Sequence, residues 1–214
     1  MHCDSVYLPV HCRQGVKDVL KKLCITLVLS ALAVAAHAAD KKWTRLDACR
    51  YVPNKNNDGD SFLVNCANEK PFYVRLYFVD TPETDLSFPQ RIQDQYDYFG
   101  VTMDEVTRGG AKARDYVRSV LASRVFSIHT RHASAQGRAK TIRYYGLVVV
   151  ENRYLHEILL GEGLARNVGT KVALPTGEKS RDYAAALGVV EERARMQRRG
   201  LWATSDPGKR KPPL

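Results

Sequence analysis

The chain lacks the glycine-rich signatures of nucleotide enzymes. It has no Gly-x-x-x-x-Gly-Lys-Ser/Thr loop and no Gly-x-Gly-x-x-Gly turn, so neither a P-loop hydrolase nor a dinucleotide-binding fold has support. No segment repeats along its length, which sets aside solenoids and propellers. His129 and His132 have no further converging ligands in the pattern, so zinc is not expected. Acidic residues are the scarcer charge, 23 against 33 basic ones, for a net +10. That imbalance favours a polyanionic partner: nucleic acid, an anionic membrane or an acidic polymer. No apolar run is long enough to span a bilayer comfortably. What is present is an ordinary globular composition, 44% hydrophobic and 26% charged in 214 residues, with room for one domain and a real core.

The longest apolar run, residues 23–36, sits in a targeting pattern. Lys17, Lys21 and Lys22 precede it, and Ala36-His37-Ala38 follows with small residues at the −3 and −1 positions of a cleavage site. Residues 1–38 are therefore expected to be a signal peptide, the mature protein exported (periplasmic or secreted) and free of the membrane. The first fifteen residues are long and mixed for a basic flank, so the true start is expected downstream, with Val16 as an alternative initiator. Cleavage removes four basic and two acidic residues and leaves 29 against 21, still +8. The positive field thus belongs to the domain. Five cysteines fall to two, Cys49 and Cys66. They flank an expected hairpin, and an oxidising compartment allows a bridge between them, with two buried free thiols as the other reading.

Residues 39–45 read as a linker and 46–204 as the folded domain, with 205–214 as a disordered basic tail. Strands are expected at 49–52, 61–66, 72–79, 125–130 and 143–150. In the third, Phe72, Val74, Leu76 and Phe78 alternate with Arg75 and Tyr77. A turn or two of helix is expected within 85–100. Thr102-x-x-Glu105 has the form of a capping box opening a helix to about Leu121, weakened at Gly109-Gly110. Helices are also expected at 155–163 and 181–199, the last stopped by Gly200 as its cap. Five strands and about three helices give an α+β, mainly β, fold: a small closed or nearly closed barrel. Nothing in the pattern signals oligomerisation, so a monomer is expected.

Two stretches carry the chemistry. Asp58-Gly59-Asp60-Ser61 is a turn rich in carboxylates. Val74-Arg75-Leu76-Tyr77-Phe78-Val79-Asp80-Thr81-Pro82-Glu83 runs from a strand arginine to two more acids. Oxygen donors of this kind suit a hard metal ion, and a phosphodiester beside that metal suits a guanidinium fork. Together they read as parts for metal-assisted phosphodiester cleavage.

These two stretches, with Gly163-Leu164-Ala165, resemble the staphylococcal nuclease (thermonuclease) family over about residues 45–203. The resemblance implies an OB-type five-stranded barrel and calcium-dependent hydrolysis of DNA and RNA. It implies that Asp60 and Asp80 ligate Ca2+ with the Thr81 carbonyl, that Glu83 is the general base, and that Arg75 faces the phosphate. The family's second arginine opens a strand after Tyr-Gly. Here Gln136-Gly137-Arg138 looks similar, but an ungapped count back from Gly163 through Val148-Val149-Val150 lands on Arg143. Arg143 is preferred, and Arg138 stays as the weaker alternative. Two departures stand out: no aromatic follows Gly-Leu-Ala, and the segment after Glu83 differs. The other reading is a non-catalytic barrel that binds nucleic acid or protein.

Overall fold

The computed structural model describes residues 42–135 and 142–211. The signal segment, residues 39–41 of the expected linker, Arg138 and the last three residues lie outside them.

Five strands close a barrel. β1 (Thr44–Tyr51), β2 (Ser61–Asn65) and β3 (Phe72–Leu76) form an antiparallel meander, and β1 also pairs antiparallel with β4 (Phe126–Ser134). β5 (Arg143–Val150) pairs antiparallel with β4 and parallel with β3, which closes the cylinder. The fold is the expected OB-type α+β barrel. A two-residue turn at Glu151-Asn152, both with positive φ, returns β5 to the short β6 (Arg153–Tyr154). β1 starts at Thr44, earlier than its hydrophobic pattern indicates. Leu46 and Cys49 are both buried but three apart, because a bulge at Ala48 (φ 51°) inserts one residue.

Four helices surround the barrel among the described residues: α1 (Pro89–Phe99), α2 (Met103–Leu121), α3 (Leu155–Gly161) and α4 (Ser180–Met196). α1 makes an 11-residue helix of the turn or two expected within 85–100. Its apolar positions Ile92 and Phe99 face a second small core with Val101, Val106, Ala194, Leu201 and Trp202, separate from the barrel interior. α2 begins at the expected capping box: Glu105 N donates to Thr102 Oγ1 at 3.2 Å and Thr102 N to Glu105 Oε2 at 2.7 Å. It runs unbroken through Gly109-Gly110, because those positions are contacts and not a break. A Cβ on Gly110 would lie 2.2 Å from the Glu83 carbonyl oxygen, and one on Gly109 would lie 2.4 Å from Leu201.

α4 ends at Met196 with Gln197 as its cap, three residues before the glycine expected in that role. Gly200 (φ 53°) serves a close approach instead. Its backbone crosses Gly163, where a Cβ would lie 2.2 Å from the Gly163 oxygen. The tail is docked over its described part, contrary to the disorder expected. Asp206 N donates to Gly100 O, Lys211 N to Asp97 O and Ser205 Oγ to Phe99 O, so it straps the end of α1. Cys49 and Cys66 are bridged, tying β1 to the end of β2 inside the main core.

Candidate active site

The Asp-Gly-Asp-Ser turn builds itself. Asp58 Oδ1 accepts from the backbone of Asp60 at 3.1 Å and of Ser61 at 2.6 Å, an Asx-type closure. Asn57 supports it from behind, donating to Val52 O and accepting from Leu63 N, both at 2.9 Å. Asp60 is left buried with its carboxylate directed at the exit of β3. Its Oδ2 accepts from Thr81 N at 2.9 Å.

The exit of β3 is bent by one residue. Strict alternation would put Arg75 and Asp80 on opposite faces. Phe78 adopts φ 71°, its N–H donates to Thr170 O at 3.0 Å, and its ring packs on Tyr183 and His156. That left-handed residue ends the strand at Leu76 instead of Val79, and Asp80 lies beside Arg75. The Arg75 guanidinium then spans both acids, with Nη1 2.9 Å from Asp60 Oδ1 and Nη2 3.1 Å from Asp80 Oδ1.

Asp80 is the hub. Besides Arg75, its Oδ1 receives Arg91 Nη2 at 2.6 Å, and its Oδ2 receives Arg166 Nε and Gln95 Nε2, each at 2.9 Å. A two-way backbone bridge, Asp80 N to Arg166 O and Arg166 N to Asp80 O, fixes the pair. Gln95 also donates to Thr81 O at 3.0 Å and accepts from Glu83 N at 2.8 Å. Glu83 Oε1 lies 2.8 Å from Arg91 Nη2.

The charges follow from these contacts. Burial works against the Asp80 carboxylate, but Arg166, Arg91 and Arg75 outweigh it and hold its pKa below the usual value. Burial also works against the Arg75 cation, yet Asp60 and Asp80 bind its proton more tightly than usual. Burial pushes Glu83 up, opposed by Arg91. Asp58 is pushed well up, first by burial and then by the charge of Asp60 beside it.

Asp60, Arg75, Asp80, Thr81, Glu83 and Arg143 all line one cleft of ≈ 970 Å³, as do Arg91 and Arg166. The register across the β3–β5 seam pairs Tyr73 with Arg143 and Arg75 with Tyr145, so the two arginines stand two residues apart on neighbouring strands. Arg143 Nε is buried without a hydrogen-bond partner among the described residues. Arg138 lies outside them. Phe88 on the rim and Tyr145 on the wall are the aromatic rings of the cleft.

Sequence reasoning misses three site residues: Arg91, Gln95 and Arg166. Gln95 has a signal, since it lies between Ile92 and Phe99 on the buried stripe of α1, where a polar side chain needs a buried partner. Arg166 directly follows Gly163-Leu164-Ala165. Arg91 has none beyond its charge.

Asp58, Asp60 and Asp80 with the Thr81 carbonyl are hard oxygen donors, the chemistry that calcium takes. The crowding of Asp58 against Asp60 is a repulsion that a cation relieves. In the described residues both oxygens of Asp80 and Oδ1 of Asp60 are engaged by guanidinium groups, and Asp60 Oδ2 by the Thr81 amide. No three His, Cys, Asp or Glu side chains there are grouped to hold a metal ion. The donor set therefore fits in kind, with arginines in attendance.

No curated protein matches the chain. A family model described as staphylococcal nuclease homologue matches residues 73–204, a span that takes in Arg75, Asp80, Glu83 and Arg143 and begins after Asp60. With its closed five-stranded barrel and this cleft, the chain belongs to the staphylococcal nuclease homologue family.

Proposed function

We propose that the chain is an exported, calcium-dependent, sugar-nonspecific endonuclease that hydrolyses phosphodiester bonds of DNA or RNA. The observation that carries this is the single Arg75 guanidinium spanning Asp60 and Asp80, with Glu83 and Arg143 in the same cleft. Asp60, Asp80 and the Thr81 carbonyl would hold the ion, with Asp58 beside them; when bound, it supplies neutralisation of phosphate charge.

The chain's own groups do the remaining work. Glu83, its pKa raised by burial against the opposing charge of Arg91, accepts a proton from the attacking water. Arg75 and Arg143 offer paired donors to the phosphate oxygens where charge gathers, each contact worth about 3–4 kcal/mol. Arg75 holds its proton too tightly to act as an acid, so its role is electrostatic. Arg143 Nε, buried and without a hydrogen-bond partner among the described residues, is a donor ready for an anion. The signal-like leader and the Cys49–Cys66 bridge support export.

Purified protein incubated with single-stranded DNA and RNA is expected to cleave with calcium and stop with chelator. Glu83→Gln is expected to lower turnover about a hundredfold or more with the circular dichroism spectrum unchanged. Binding without cleavage under every condition would instead favour a non-catalytic nucleic-acid-binding barrel.

A further inference from the structure

We propose that Arg91 is a third phosphate-contacting guanidinium, delivered by α1 and parked on Asp80 and Glu83 until a phosphodiester draws it away. The inference rests on the nuclease reading of the same cleft.

Its placement is built and not incidental. α1 is anchored by its own small core, by Gln95 on Asp80 and Thr81, and by the tail strapped over Asp97 and Gly100. From that frame Arg91 Nη2 reaches two acids at once, Asp80 Oδ1 at 2.6 Å and Glu83 Oε1 at 2.8 Å.

Of the three guanidiniums on Asp80, Arg91 is the one free to leave. Its side chain is 41% exposed, against 18% for Arg75 and 9% for Arg166. Removing a partner from a buried charge is costly when it strands that charge. Departure of Arg91 strands nothing, because Asp80 keeps Arg75, Arg166 and Gln95. Glu83 is only partly buried and can be met by water. A phosphodiester entering the cleft offers Arg91 two charged oxygens, a better match to its fork than one oxygen from each of two separate acids. The same movement clears Oε1 of Glu83 to take a proton and lifts one cation from Asp80. Arg91 thus stands in for a positive charge at the acids when no substrate is there, and opposes the metal until it moves.

The two roles pull measurable affinities in opposite directions. A labelled single-stranded oligonucleotide is titrated by fluorescence anisotropy in chelator across a range of salt. Calcium is titrated separately by calorimetry without nucleic acid. Arg91→Ala is expected to weaken the oligonucleotide about tenfold, to reduce the salt slope by about 0.7, and to tighten calcium about threefold or more. A merely structural role would weaken both ligands together. Unchanged oligonucleotide affinity and slope, or calcium affinity falling in parallel, overturns the proposal. If Arg91→Ala does not fold, Arg91→Lys decides: it is expected to keep the slope and lose about threefold in oligonucleotide affinity, since lysine lacks the fork; equal affinity overturns. A wild-type protein that takes up no calcium and cuts nothing sinks the proposed function instead, and the oligonucleotide arm then judges this inference alone.

Discussion

Asp80 accepts four donors on two oxygens, and three of them are cations. Asp80→Asn is therefore expected to strand guanidiniums and to lower unfolding free energy by about 3 kcal/mol, read from denaturant midpoints. Asp58→Asn is expected to cost far less. Burial and the Asp60 charge already favour its protonated form, and an amide oxygen can still close the turn. A loss at Asp58 equal to that at Asp80 would contradict the charge assignment.

His156 carries a second residue-scale expectation. It is fully buried, stacked on Tyr154 and in contact with Tyr183 Oη at 2.9 Å, and burial lowers its pKa to about 3. The unfolded chain takes up a proton below about 6.5 that the native state refuses. Stability from this group is full above that value and drains as pH falls toward the native one. By pH 5 the loss amounts to about 2 kcal/mol. His156→Phe is expected to flatten the dependence of denaturant midpoint on pH between 7.5 and 5; an unaltered slope would assign the acid sensitivity elsewhere.

At the scale of elements, the helix glycines invert their local propensity. In an isolated helix Gly110→Ala would stabilise by about 1 kcal/mol. Here the new methyl would press on the Glu83 and Pro82 carbonyls, so both the melting temperature and turnover are expected to fall. A variant with higher melting temperature and full turnover would show that α2 is free to slide.

The elements also mark where the sequence is readable. The Asp58–Ser61 turn, the capping box at Thr102 and β5 from Arg143 to Val150 are legible, because each is a local pattern with a local cause. The end of β3 is not. Alternation continues through Phe78, and only packing against Tyr183 and His156 explains its left-handed backbone. The tail misleads for the opposite reason: its composition is that of a disordered segment, while the carbonyls it donates to at the end of α1 lie more than a hundred residues away. Arg75, Asp80 and Glu83 can be read together because they share one short motif. Arg91 reaches the same acids from a helix whose placement depends on a second core.

For the whole molecule, the Cys49–Cys66 bridge closes a 17-residue loop across the first hairpin, on the core side and away from the cleft. Cys49→Ala/Cys66→Ala is expected to lose about 3 kcal/mol of stability in the chain-entropy account. Its turnover below the new transition should match the parent's. Equal midpoints would place the bridge's contribution near zero; impaired turnover would show that the hairpin's geometry depends on it.

Two of the arginines lining the cleft, Arg75 and Arg143, hang from opposite sides of the β3–β5 seam, and those strands are far apart along the chain. Pairings of such long range form late, after shorter-range contacts have lowered the cost of closing the loop. A nascent or travelling chain would, on the proposed function, hold every letter of the cutting apparatus without its assembly. On the proposed function, danger to the producing cell's own nucleic acids begins only when the cylinder has shut.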